Sequence, residues 1–281
     1  MIHDIRPEVL EEVEDCIRQV KTFQAAQGRR IHKAIKRSRK GGEQVEALKQ
    51  IFPTLPDDFL ALYHHHNGAE PGASLSMWEW SVFLEFEWSS ADLLVRRNKI
   101  MRLDKDNPLV DRFDTFHSPE GQSLQLDPGA EKGGAVPMLM TLGTLSRNAY
   151  IAFESTLALL RSVCAVQQAG ILHYVKKGQR IHHRDGTPRE IHDIYYDAKE
   201  LWDVIQPFNS RADYWPALLK GALEWDEIEV ELPQNGILNL DPEVRRLIVG
   251  TPEEYQQATE EEMRQAGFTE DEIRRARDAE D

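Results

Sequence analysis

The chain has 281 residues, 41% of them hydrophobic and 29% charged, with a formal net charge of −14. That much apolar content excludes wholesale disorder, and no stretch reaches the roughly 18–20 uninterrupted apolar residues of a membrane-spanning helix. The opening MIHDIRPEVLEE has none of the charged, apolar and small-residue zones of a secretory leader, so a cytoplasmic protein is expected.

The first element predicted is a helix. Pro7 suits its first position, and Val9, Leu10, Val13, Cys16, Ile17, Val20 and Phe23 recur at three- and four-residue spacing to form one apolar stripe. Cys16, like Cys164 further on, falls inside an apolar helical pattern, where a free thiol behaves as a small hydrophobe. Gly28 ends the helix. Arg29, Arg30, Lys33, Lys36, Arg37, Arg39 and Lys40 follow without an acid as far as Gly41 and Gly42. Ile31, Ala34 and Ile35 give this run a thin apolar edge, which predicts a solvated basic helix paired with the acidic C-terminal tail; direct binding of nucleic acid is not expected.

Thr54-Leu55-Pro56-Asp57 predicts a helix start with Thr54 as cap. Phe59, Leu62, Tyr63 and His66 then share a face, and Asn67-Gly68 stops the helix because both residues tolerate a left-handed backbone. The period next changes to two. Trp78, Trp80, Val82, Leu84, Phe86 and Trp88 alternate with Glu79, Ser81, Phe83, Glu85 and Glu87, predicting a strand with one buried face.

Residues 89–92 offer a cap for a short helix through Leu93, Leu94 and Ile100, and residues 104–134 are rich in turn formers, with a short strand at 124–126. Residues 136–142 and 149–153 predict two paired strands, and Ser155 caps a helix that carries Leu157, Leu160, Val163 and Cys164 and ends at Gly170. Beyond it, strands at 171–175 and 191–195 flank an Asp185-Gly186 turn; Asp197 opens a helix with Leu201, Trp202 and Ile205, and residues 214–223 form another. The proportion of elements predicts an α+β fold with helices packed on one antiparallel or mixed sheet, and with extra C-terminal helices.

The acidity belongs to the tail. Residues 224–281 hold 18 acids and 6 bases, a balance of −12, leaving 30 acids and 28 bases, a balance of −2, in residues 1–223. Three helix starts are legible there, at Asp241-Pro242, Thr251-Pro252 and Thr269-Glu270. The clusters Asp226, Glu227, Glu229 and Glu231, and Glu260, Glu261 and Glu262, lack lysines and can imitate the phosphate path that a basic nuclease cleft holds, with Trp225 as an aromatic anchor. A solvated helix surface is the plainer account of these acids, and packing against the core the plainer account of Trp225. These eight are the candidate partner-binding residues.

Catalytic and metal-binding signatures are sparse. His182, His183, Asp185, His192 and Asp193 supply ligand-type side chains, yet their spacing matches no metal motif, and His64, His65 and His66 on one helix point about 100° apart. Neither a nucleophile elbow, a phosphate-binding loop nor a dinucleotide fingerprint occurs, so no catalytic residue, cofactor or metal is assigned.

The segment LPDDFLALYHHHNGAEPG, residues 55–72, resembles the signature of the SUKH superfamily, which includes a yeast cell-wall-synthesis regulator and bacterial immunity proteins. The likeness runs in order through the Trp-rich strand, the short helix of 93–100, VPMLMTLGTLSRNAYIAFES as paired central strands and the helix of 157–169, and so covers roughly residues 43–170. One departure is Ser146-Arg147-Asn148, where many relatives carry a Gly/Asp-rich turn between the paired strands. The resemblance implies a non-catalytic α+β domain that binds a toxin, often a nuclease delivered by contact-dependent or type VI secretion, and blocks its active site. Three regions are expected: an N-terminal helical segment with the basic run at 1–42, the SUKH-like domain with an extension after 170 at 43–223, and an acidic helical segment at 224–281. The expected function is a cytoplasmic immunity protein whose partner is a basic cognate toxin. A regulatory or scaffold module that binds a cellular protein is the alternative, followed by a metal-dependent enzyme using His183, Asp185 and His192.

Overall fold

The structure, a computed structural model, describes residues 5–69, 81–101, 111–118, 121–130, 135–142, 148–174, 181–182, 188–189 and 194–224. The chain divides into two compact units, Met1–Glu229 and Val230–Asp281, and the second lies wholly outside the described residues. No helix among the described residues is long and apolar enough to cross a membrane.

The architecture is α+β. Helix α1 (Pro7–Ala26) buries Val9, Val13, Cys16, Ile17 and Val20, the stripe read from the sequence, against α4 (Asp57–His65) and α6 (Thr156–Ala169). The basic run does not form a helix of any length. It makes one turn, α2 (Ile31–Ala34), and then strand β1 (Ile35–Arg37), which pairs antiparallel with β2 (His66–Ala69). The reason lies in its few apolar residues: Ile31, Ala34 and Ile35 are all buried and fix the backbone. Arg29 is buried too, bonded to Gln24 Oε1 (3.1 Å) and the Ser81 carbonyl (3.3 Å) and stacked 4.3 Å from the Tyr174 ring centre. Arg37 pairs with Glu14 of α1 at 2.7 Å.

Helix α3 (Gly41–Ile51) packs on α4 and on α5 (Ala91–Met101). Its start is set by contact: a Cβ on Gly41 would stand 1.8 Å from the carbonyl oxygen of His64, so only glycine fits. Helix α4 begins at Asp57 with Pro56 at its cap position, two residues beyond the predicted Thr54, and no side chain caps it. Residues from Asp58 to Tyr63 are all buried, because α1, α3 and α6 surround the helix; an amphipathic face therefore understates its burial. His66 has already left the helix and lies in β2.

The Asn67-Gly68 pair does more than end α4. Asn67 Oδ1 accepts the Ala91 N–H (2.8 Å) and so caps α5, while Gly68, at φ +74°, comes so near Ser89 that a Cβ would lie 2.5 Å from its carbonyl oxygen. Tyr63 Oη donates to that same carbonyl at 3.0 Å.

Six antiparallel strands form the sheet in simple sequence order: β3 (Ser81–Phe83), β4 (Phe86–Glu87), β5 (Phe113–His117), β6 (Gln122–Leu126), β7 (Met138–Leu142) and β8 (Tyr150–Phe153). The single Trp-rich strand is corrected here to a tight hairpin, with Leu84 at the turn in a left-handed conformation (φ 55°) and Trp88 buried just beyond β4; Trp78 and Trp80 lie outside the described residues. Two strands, β5 and β6, occupy part of the 104–134 stretch read mainly as loop. The predicted pair at 136–142 and 149–153 is present as β7 and β8, with Leu139 opposite Ile151.

Ser155 caps α6 by accepting the Ala158 N–H, and Gly170 closes it at φ +69°. After it come two short antiparallel pairs, β9 (His173–Tyr174) with β12 (Ile194–Tyr195) and β10 (Ile181–His182) with β11 (Pro188–Arg189). Asp197 Oδ1 caps α7 (Ala198–Ile205) from both the Lys199 and Glu200 amides, and α8 (Tyr214–Lys220) follows. This extension covers the outer edge of β8: Asp213 takes both a donor and an acceptor of Ile151, Asn209 Oδ1 accepts the Glu154 N–H (3.1 Å), and Trp215 Nε1 donates to the Ala152 carbonyl (2.9 Å). An uncovered terminal strand is a template for unwanted pairing, and here that edge is spent within the chain.

Candidate functional site

All eight tail residues singled out for partner binding, Trp225, Asp226, Glu227, Glu229, Glu231, Glu260, Glu261 and Glu262, lie outside the described residues. So do His183, Asp185, His192 and Asp193, while His182 faces Pro188 across the β10–β11 pair. The three consecutive histidines do not converge. His66 is buried against the Trp88 ring with Nε2 3.1 Å from Glu14 Oε2, whereas the His64 and His65 rings meet edge to face. Burial would raise the Glu14 carboxyl, but hydrogen bonds from Arg37 and His66 outweigh it and hold the group below its ordinary value. This is a structural tie between α1 and β1–β2. Among the described residues no cluster of three or more His, Cys, Asp or Glu side chains is placed to hold a metal ion.

The described residues do assemble a polar site elsewhere, on the sheet. One face of the central strands carries Phe113, Phe116, Leu124, Leu126, Met138 and Met140 into the core. The other carries a row across four strands, with Glu87 opposite His117, His117 opposite Ser123 and Ser123 opposite Thr141. Beside it Asp114 stands opposite Gln125. Asp114, Ser123, Gln125 and Thr141 are fully buried, an uncommon fate for such residues unless they are paired.

A β-bulge builds the centre of this site. Residues three apart on a regular strand point to opposite faces, but the register of β5 shifts between Asp114 and Phe116, so Asp114 and His117 share a face. Their side chains meet at 2.6 Å, Nε2 to Oδ2. The bulge is held from both sides. Asn98 of α5 clasps the Asp114 backbone, accepting its N–H (2.8 Å) and donating to its carbonyl (2.9 Å), and the Thr115 hydroxyl donates to the Leu124 carbonyl. At the neighbouring position burial pushes the Glu87 carboxyl up, with Arg97 and His117 opposing.

Carboxylate, imidazole and hydroxyl are also the groups of an acyl-transfer triad, but the wiring differs. Ser123 Oγ lies 2.7 Å from Thr141 Oγ1, and the serine has no exposed surface from which to attack a substrate. What the site does hold is unspent hydrogen-bonding capacity. Asp114 Oδ1 and both polar atoms of the Gln125 amide are buried with no protein partner. A buried amide left in this condition costs about 1–3 kcal/mol. Replacing Gln125 by leucine is therefore expected to leave stability unchanged or raise it by about 1 kcal/mol, measured by urea denaturation, because the apolar side chain needs no partner. A loss above about 2 kcal/mol would mean that the amide is satisfied in the folded protein and is part of its framework.

Sequence reasoning missed this face because its residues look like loop composition. The available signal was the pair of alternations Phe113/Phe116 and Leu124/Leu126, broken by one extra residue in the first.

No family model matches the chain, and no curated protein matches it either.

Proposed function

We propose that the chain is a cytoplasmic immunity protein that binds a cognate toxin, a basic nuclease or another effector acting in the cytosol, and occludes its active site. The observation that carries this reading is the segregation of charge, with a balance of −12 in residues 224–281 against −2 in the rest. A concentrated acidic surface draws a basic catalytic domain into encounter and matches a cleft shaped for phosphates. The resemblance of residues 55–72 to the SUKH signature supports it. Trp225 with Asp226, Glu227, Glu229 and Glu231, and the trio Glu260, Glu261 and Glu262, are the residues assigned to the contact.

The test is co-expression with the toxin domain encoded beside the gene. Protection of cells and recovery of a stoichiometric complex are expected, with an association rate that falls steeply as salt is raised. Changing Glu260, Glu261 and Glu262 together to glutamine should slow association about tenfold while altering dissociation little. Failure to protect against the neighbouring toxin, or a complex insensitive to both salt and the triple change, would overturn the reading.

A further inference from the structure

The chain has two cysteines, and the fold brings them together although 148 positions separate them. Cys16 lies on the face of α1 that packs against α6, and Cys164 on the face of α6 that receives it. The Cys164 thiol donates to the carbonyl oxygen of Cys16 at 3.7 Å, so it reaches the very residue that carries the other thiol. A covalent S–S bond of about 2.05 Å asks the two side chains to turn toward each other between helices already in contact. The pair is also within reach of solutes. Both sulfur-bearing residues line a surface cleft of about 560 Å³ together with Glu12, Asp15 and Arg161, and Cys164 lines a second of about 420 Å³.

We propose that Cys16 and Cys164 form a redox pair that closes into a reversible disulfide tying α1 to α6, with a hydroperoxide as the oxidant. The two thiols are unequal. Cys164 commits its S–H to the Cys16 carbonyl and keeps its proton, its thiol pushed up by the neighbouring Cys16 and by burial, which leaves Cys16 the more readily ionised of the two. Cys16 is thus the attacking group. Its thiolate takes one peroxide oxygen, the O–O bond breaks, and Cys16 becomes a sulfenic acid while the departing hydroxide gains the proton that Cys16 had released, giving water. The Cys164 sulfur then attacks the Cys16 sulfur. The S–O bond breaks, the S–S bond forms, and hydroxide leaves with the Cys164 proton as a second water. Two thiols and one hydrogen peroxide give one disulfide and two waters, and a dithiol reductant reverses the change by exchange.

The experiment uses the full chain and hydrogen peroxide. After oxidation and unfolding, thiol titration should fall from two groups per chain to none; intact mass should drop by two hydrogens, and a peptide pair joining Cys16 to Cys164 should appear, all reversed by dithiothreitol. Closing so long a loop should raise the melting temperature by roughly 10 °C. C16A and C164A should each keep one titratable thiol and show no such rise. Because the mass and thiol readings are made on the unaltered chain, a poorly folding variant does not affect them. Two thiols still free after peroxide, a sulfinic acid at Cys16 beside an intact Cys164, or bonding only between separate chains would each overturn the proposal.

Discussion

Phe59→Ala is expected to cost about 3–5 kcal/mol of folding free energy, the largest loss from any single truncation considered. The side chain sits on α4, the helix that α1, α3 and α6 enclose, and it has no exposed surface. Its ring centre lies 5.3 Å from Tyr63, 5.6 Å from Phe113 and 6.2 Å from Phe116, so it joins the helical layer to β5 through tilted and edge-to-face contacts. Removing it leaves a cavity walled by large rings attached to both a helix and a strand, which cannot all move inward together. Urea denaturation should show a lower midpoint with an unchanged slope. A loss below about 1 kcal/mol would show that the site collapses freely and that α4 is not the joint between the layers.

The neighbouring residue is expected to show the next largest effect, with a dependence on pH. Asp58 is buried, yet it is a carboxylate: Oδ2 accepts the Leu157 N–H at 2.8 Å and Oδ1 accepts the Phe59 N–H at 2.9 Å. It thereby ties the start of α4 to the positive end of α6. Asp58→Ala leaves the partly buried Leu157 amide without this partner and should cost about 1–3 kcal/mol. Burial is the main influence on the carboxyl and raises it above its ordinary value of 3.8, in spite of the hydrogen bonds from Leu157, Ser155 and Phe59. A raised carboxyl binds its proton more tightly folded than unfolded, so its contribution is greatest below 3.8 and is lost as pH rises through the folded value. Asp58→Asn keeps an acceptor for Leu157 but cannot titrate. The wild-type chain should therefore lose ground against the asparagine variant as pH rises from 3.8 through that window, a comparison made by thermal melts across pH. Parallel curves for the two proteins would mean that the carboxyl is not shifted.

Much of the framework was legible from local chemistry. Pro7, the stripe of α1, the Ser155 cap with the Gly170 stop, and the Asp197 cap each state their element within a few residues, and tertiary structure adds to them without contradiction. What failed to show depends on partners distant in sequence. Gly41 looks like a terminator, yet it begins α3 because the carbonyl of His64 leaves room for no side chain. The Trp-rich alternation runs past Leu84, where the chain reverses. The polar face of the sheet was illegible for two reasons: the bulge after Asp114 breaks the period of two, and burial of Ser123, Gln125 and Thr141 contradicts the usual meaning of such residues. The acidic tail was legible as charge and as three helix starts, but composition specifies encounter and not the geometry of a contact.

The covered margin of β8 bears on how such a gene can be cut and recombined. Helix α6 ends at Gly170, and a splice there would look safe on paper. Yet Asn209, Asp213 and Trp215 occupy the amides and carbonyls of that last strand from beyond the splice point. A chimera that kept the earlier portion and exchanged the later one would inherit a bare ribbon, ready to zip onto its own copies, unless the incoming piece brought an equivalent clasp. The two stretches are thus expected to travel through evolution as one heritable block.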